Sequence, residues 1–218
     1  MREVNLLASL PVPKRNLQAR GAAKTPDVVA VSREYGEMYF DGPREYGYGG
    51  YRYDGRYVPV ARDIVRHFGL KAGDRVLDVG CAKGFLVKDL LTVCPGLEAF
   101  GLDVSEYALT HCVPECIGRL HLGNAVALPF PSGTFHAVIS LNTIHNLERP
   151  DAVRAVREIE RLAPGRGFIQ VDSYRTPEQR ERFLEWVLTA KYHDYPDGWL
   201  QMFSEAGYTG DYYWTLIE

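Results

Sequence analysis

Hydrophobic residues change their spacing several times along this chain. Val76, Leu77 and Val79 form a short apolar run interrupted only by Asp78, the pattern of a strand buried on both faces, and the FLVKDLL that follows carries apolar residues at helical spacing. Between the two, Gly80 and Gly84 mark a tight turn. The alternation repeats downstream. EAFGLDVS (98–105) reads as a strand ending at Asp103, with Ser105 as N-cap of a helix through EYALTHC. GRLHLGNA (118–125) reads as a short strand and TFHAVISLN (134–142) as a strongly apolar one. Val153, Val156, Ile159 and Leu162 give PDAVRAVREIERLA helical spacing, FIQVDSY (168–174) is another buried strand, and Thr176, Pro177 and Gln179 open a helix predicted over 177–191. Strands alternating with helices predict an α/β fold, a doubly wound, mostly parallel sheet with helices on both faces.

Both ends of the chain read differently. VPVARDIVRHFGL is an amphipathic helix ending near Gly69. Half of the chain's 14 tyrosines lie between Tyr35 and Tyr57, interleaved with glycine and arginine and without helix or strand periodicity, which predicts an ordered loop or lid. The expected organisation is therefore an N-terminal arm and lid over 1–57 on a globular body over 58–218. KYHDYPDGW (191–199) shows no periodicity and reads as a loop over the site or on the surface. AGYTGDYYWTLIE reads as a helix end and one aromatic strand.

Composition narrows the function. A hydrophobic share of 46% with 24% charged residues is ordinary for a globular protein, and no apolar run approaches the roughly 20 residues of a membrane span. The first residues are broken by prolines before a signal core forms, so a cytoplasmic protein is expected. A net charge of −3 argues against broad nucleic-acid binding. Arg2, Lys14, Arg15, Arg20 and Lys24 nonetheless make a basic arm against only Glu3, fit either for a phosphate-bearing substrate or for solvent. Cys81, Cys94, Cys112 and Cys116 lack paired spacing and are expected as free thiols; His111, Cys112, Cys116 and His121 are too loosely spaced to predict a metal site. Oligomeric state is left open.

The glycine turn carries the chemistry. A dinucleotide fingerprint needs G-x-G-x-x-G, whereas Gly80 is followed by Ala82 and Gly84, with Asp78 just before. A carboxylate there disfavours pyrophosphate and favours a cationic ligand, such as the amino group of an amino-acid-bearing nucleoside. Asp103, about 20 residues further on, is placed to accept both hydroxyls of a ribose. Asn124 and Ala125 end a third strand and Leu141 to His145 follow a fourth, so all these points fall on the carboxyl edge of one sheet.

VLDVGCAKG, GLDVS, GNAVALPFPSGTFHAVIS and LAPGRGFIQV together resemble the motifs of the class I S-adenosylmethionine-dependent methyltransferases, over roughly residues 60 to 175. The resemblance implies a Rossmann-like fold and S-adenosylmethionine as cofactor. Asp78, Gly80, Ala82 and Gly84 would frame its methionine part, Asp103 would hold the ribose and Val104 would pack on adenine. Asn124 and Ala125 would meet the adenine edge, and Leu141 and Asn142 would line the sulfonium. Three positions depart from the family pattern: Ala82 replaces a glycine, Asn124 stands where many relatives have aspartate, and one strand is evident after the fifth-strand helix where two are usual.

Methyl transfer needs alignment and, for an oxygen or nitrogen acceptor, an exit for a proton. His145 is the candidate base; a purely structural histidine is the alternative. Asp172 is the second candidate, or a binder of a substrate hydroxyl, and His193 could line the far wall. Tyr46, Tyr48, Tyr51 and Tyr53 would close over cofactor and acceptor or simply plug the sheet end. The expected activity is methylation of a hydroxyl or amine on a small polar molecule, for instance a sugar or nucleotide sugar. A non-catalytic cofactor-binding subunit and an RNA methyltransferase are the alternatives.

Overall fold

A computed structural model of the chain describes residues 1–11 and 15–217; Lys14 of the basic arm and Glu218 lie outside the described residues. Three short helices occupy the arm: α1 (Leu17–Ala23), α2 (Pro26–Ser32) and α3 (Glu37–Phe40). Asn16 and Thr25 cap the first two, accepting from the backbone N–H groups of Ala19 and Val28. The lid region is thus partly helical, which its lack of periodicity did not predict, because α3 is a single turn. There follow α4 (Val58–Phe68), β1 (Arg75–Val79), α5 (Phe85–Val93), β2 (Glu98–Asp103), α6 (Glu106–Thr110), β3 (Leu120–Leu122), β4 (Ala137–Leu141), α7 (Arg149–Leu162), β5 (Gly167–Ser173), α8 (Pro177–Trp186), α9 (Pro196–Ala206) and β6 (Asp211–Leu216).

Two boundaries correct the sequence reading. The helix predicted over 177–191 stops at Trp186, where Val187 turns extended, and Val187, Leu188 and Thr189 line a cavity instead. The segment read as a loop over 191–199 is helical from Pro196, which takes the first helical position without losing a bond.

The six strands lie in the order β3-β2-β1-β4-β5-β6, and every pairing is parallel. Period-two alternation divides their side chains between two cores. Leu77, Val138 and Ile169 pack beneath α7 and α9, while Val76, Ala137, Ile139 and Phe168 pack beneath α4 and α5. All seven are wholly buried, and each large one contributes roughly 1.5–3 kcal/mol of transfer free energy. The chain reverses direction across the sheet between β1 and β4, so the loops after these two strands diverge and leave a crevice at their carboxyl ends.

The C-terminal edge has the one strand evident in the sequence, where the resembled family usually has two. β6 docks directly on β5, in register from Phe168 and Asp211 to Ser173 and Leu216. Its outer side meets the start of the chain: Val4 N–H donates to the Tyr212 carbonyl at 2.9 Å and Tyr212 N–H to the Arg2 carbonyl at 3.0 Å. Asp211 sits between Arg2 (2.7 Å) and His67 (2.9 Å). Burial works against its charge, but the hydrogen bonds from these two partners outweigh it and hold the carboxyl below its ordinary range. Arg2 is therefore spent on the sheet edge and does not face a substrate.

Candidate active site

The turn after β1 lies against the turn after β4. Gly80 adopts φ +84°, and a Cβ there would run into the side chain of Thr143; a Cβ on Gly84 would crowd the sulfur of Cys116. Packing alone thus demands glycine at both positions. Ala82, with φ +48°, holds a left-handed conformation that a side chain disfavours by roughly 1–2 kcal/mol. Asp103 fixes it there: its Oδ2 accepts from the Ala82 N–H at 2.7 Å and its Oδ1 from the Ser105 N–H at 2.8 Å. Each oxygen keeps a second lone pair for a ligand. Burial pushes the Asp103 carboxyl up, against these backbone bonds.

A cavity of about 330 Å³ opens at this point. Of the residues expected around the cofactor, Gly80, Ala82, Asp103, Val104, Asn124, Ala125, Leu141 and Asn142 line it. Val104 offers an exposed apolar face. The Asn124 Oδ1 is taken by the Val126 N–H at 3.1 Å, so its NH₂ is the edge left to a ligand. Asp78 and Gly84 do not reach the cavity surface. Asp78 is buried beneath the turn, and burial, then the charge of Asp103, push its carboxyl up to about 8.

The arm covers the cavity with a different set of aromatics from the one expected. Tyr35, Tyr39, Phe40 and Tyr48 line it. Of the predicted tyrosines only Tyr48 is among them. Tyr51 stacks on Phe85 with ring centres 4.5 Å apart, Tyr53 donates to Asp89 at 2.6 Å, and Tyr46 lines neither this cavity nor the second one. Their spacing placed them in the right segment, but a turn-rich chain does not reveal which side its side chains take. Two contacts hold the cover down. Lys83 pairs with Asp41 at 2.5 Å, and the Ser105 hydroxyl donates to the Tyr35 carbonyl at 2.6 Å. Burial disfavours the Asp41 charge, yet hydrogen bonds from Lys83 and Tyr107 prevail and lower its pKa.

Comparison with known proteins agrees with this geometry. The family model described as a methyltransferase domain matches residues 76–167, which run from β1 to the start of β5. Over residues 76–167 the chain is thus similar to the methyltransferase domain, and its six-stranded parallel sheet has the Rossmann-like fold of the class I methyltransferases. It is 31% identical to a demethylmenaquinone methyltransferase of Symbiobacterium thermophilum over 59% of this chain and 54% of that protein. To a 2-methyl-6-phytyl-1,4-hydroquinone methyltransferase of Synechocystis it is 26% identical, over 76% of this chain and 56% of the other. The chain thus spans about half the length of these curated relatives. Among solved structures, a phosphoethanolamine N-methyltransferase 2 of Haemonchus contortus superposes with a TM-score of 0.56 at 18% identity, covering 81% of this chain and 44% of that one.

Beside this cleft lies a second cavity of about 780 Å³, and Tyr39, Tyr48 and Asn142 line both. His145 and Asp172 line the second one. His145 sits in the 3-10 turn Ile144–Asn146, and its Nδ1 accepts from the Asp172 N–H at 3.2 Å. Burial pushes its pKa down, so the ring is neutral with the proton on Nε2. The lone pair that a base needs is therefore already engaged, and His145 presents a donor instead. The Asp172 carboxyl is pushed up by burial, which outweighs the lowering influence of nearby His145 and of the Arg15 charge. His193 lies elsewhere, its Nδ1 2.9 Å from the Tyr174 hydroxyl and its ring against Phe183, and it lines neither cavity.

One residue that sequence reasoning passed over organises the junction. Gln170, wholly buried in β5, accepts from the Asn142 N–H at 3.0 Å through Oε1 and donates through Nε2 to Asn142 Oδ1 at 3.0 Å and Thr215 Oγ1 at 2.7 Å. Asn142 is thereby held at φ +54°. A polar residue inside an otherwise apolar strand was the available signal.

Proposed function

We propose that the protein moves a methyl group from S-adenosylmethionine to a hydroxyl or amine of a small polar molecule bound in the second cavity. The observation that carries this reading is the shared wall. A cleft with the family's cofactor residues meets a larger polar cavity at Tyr39, Tyr48 and Asn142, so a donor and an acceptor can face each other there.

The residues of the first cavity suit the cofactor. Asp103 keeps a lone pair on each oxygen for ribose hydroxyls, Val104 offers an apolar surface for the base and Asn124 offers N–H donors to its ring nitrogens. The buried Asp78 carboxyl beneath the turn has no hydrogen-bond partner among the described residues and favours a positive ligand group nearby. S-adenosylmethionine, when bound, supplies a methyl group on a positively charged sulfur. The chain's own part is to align and to manage the proton: Asn142 fixes the junction, Tyr39 and Tyr48 exclude water, His145 Nε2–H donates to the acceptor, and Asp172 receives its proton. A carboxyl whose pKa is raised by burial is a stronger base than an exposed one.

Calorimetric titration with S-adenosylmethionine, S-adenosylhomocysteine and NADH tests the cofactor assignment. Binding of the first two, lost in Asp103→Ala, supports it; silence toward both with binding of NADH refutes it.

A further inference from the structure

The second cavity is far more basic than the first. Arg15, Arg20, Arg44, Arg56 and Arg175 line it, against the two carboxylates of Glu3 and Asp172. Two of these arginines are spent, Arg56 on Asp54 at 2.6 Å and Arg175 on Glu3 at 3.0 Å. The other three gather around one indole. The guanidinium carbons of Arg15, Arg20 and Arg44 lie 5.6, 5.0 and 5.4 Å from the ring centre of Trp186. Among the described residues, none of the three has a carboxylate within ion-pairing distance.

Their remaining contacts do not neutralise them. Arg20 is buried, and it donates to the carbonyls of Glu45 (2.9 Å) and Gly47 (3.3 Å); Arg44 donates to the same Gly47 carbonyl. The Nε of Arg15 is buried and has no partner among the described residues. Burial, then the charge of Arg44, push the Arg20 guanidinium pKa down, which shows that the two cations repel each other. Trp186 meets the guanidinium faces, and beyond these three carbonyl bonds no other hydrogen bond from the three guanidiniums is found among the described residues. Among the described residues these three converging cations have no ion-paired carboxylate, only the longer-range charge of Asp172 acting on Arg15, and they call for an anion.

We infer that the wall formed by Arg15, Arg20, Arg44 and Trp186 binds a phosphate group carried by the methyl acceptor. This deepens the proposed function and rests on it. One guanidinium fork satisfies a carboxylate with a single charge; three guanidiniums match a phosphate monoester, with two charges and three free oxygens. A free nucleic-acid strand fits less well, because the arginines lie within a cavity of about 780 Å³ on a chain of net charge −3 and not along an open basic face. With its phosphate on this wall, an acceptor reaches His145 and Asp172 on another wall of the same cavity.

The test titrates protein saturated with S-adenosylhomocysteine with inorganic phosphate, acetate and a short single-stranded RNA, for the wild type, Arg15→Gln, Arg44→Gln and Arg15→Lys, with melting curves as the folding control. The expected result is phosphate binding that weakens with salt, falls about tenfold in each glutamine variant and is partly kept in Arg15→Lys, while S-adenosylhomocysteine affinity is unchanged. Absent phosphate binding in the wild type, binding unchanged in both glutamine variants, acetate bound as tightly as phosphate, or RNA bound far more tightly through the same arginines would each overturn it. Should a glutamine variant fail to fold, Arg15→Lys and the wild-type comparison of phosphate with acetate still decide. Arginine-dependent phosphate binding in protein that ignores S-adenosylhomocysteine would sink the cofactor reading and leave the phosphate site standing.

Discussion

The side-chain amide of Gln170 meets Asn142 twice, accepting from its backbone N–H and donating to its side-chain oxygen, both at 3.0 Å. This pair fixes a left-handed residue at the point where the two cavities join. Gln170→Leu removes both side-chain bonds to Asn142 but keeps the Asn142 N–H on the Gln170 backbone carbonyl at 3.0 Å, so it should cost about 1 kcal/mol of stability, with S-adenosylhomocysteine affinity falling as well. Thr215→Val removes only the outer bond to Gln170 and should do less on both counts. Denaturant melts and calorimetry on the two variants separate these effects.

Asp78 predicts a pH signature. Its carboxyl is raised to about 8 in the fold, against about 3.9 in an unfolded chain. Between those values the folded state binds the additional proton, so the contribution of Asp78 to stability declines as pH rises from about 4 to about 8 and then levels. Asp78→Asn should therefore raise the melting temperature more at pH 9 than at pH 5. A cationic ligand near Asp78 favours its charged form, so cofactor binding near pH 7 should release a proton. Titration in buffers of different ionisation enthalpy measures that release.

The Lys83 and Asp41 pair ties the arm to the glycine turn. Lys83 is buried, and Asp41→Ala leaves its ammonium without its partner, a loss of about 2 kcal/mol for a half-buried pair. The arm should then loosen, with faster proteolytic cleavage within residues 33–51 and weaker S-adenosylhomocysteine binding. Bound S-adenosylhomocysteine should restore protection in the variant.

Turnover should separate Asp172 from His145 once an acceptor is in hand. Asp172→Asn removes the proposed proton acceptor and should lower kcat by about 100-fold or more. His145→Gln keeps a hydrogen-bond donor and should chiefly raise KM. Because burial raises the Asp172 pKa, the wild-type rate should climb with pH through a limb above the usual carboxylate range, and that limb should vanish in Asp172→Asn.

The body of the fold was legible because its signals are local. Val76 to Val79, the turn glycines and the helical spacing of Val153, Val156, Ile159 and Leu162 each declare their element within a few residues, and eight of the ten residues expected around the cofactor line one cavity. Of helix α9 only the end was read; the spacing of Trp199, Met202, Phe203 and Ala206 carries the rest, and Pro196 and the polar residues before it masked its start. Residues of the arm were not legible individually. Tyr48 and Tyr53 have the same composition around them, and only tertiary packing sends one to the cavity and the other to Asp89. The arginine wall was legible in part. Arg15 and Arg20 were read in a basic arm fit for a phosphate-bearing substrate or for solvent, but only tertiary packing, through Trp186 at the end of α8, gathers them with Arg44.

The contact of Arg2 and Val4 with Tyr212 has a colloidal consequence. β6 is the last strand of its sheet, and a bare strand edge is a template on which another molecule can add. The first residues of the chain occupy part of that edge, with Arg2 anchored by Asp211 and His67 close by. Protein lacking residues 1–5 would keep the first cavity, lose Glu3 and Asn5 from the wall of the second, and expose the outer edge of β6, and should self-associate at concentrations where the whole chain stays dispersed.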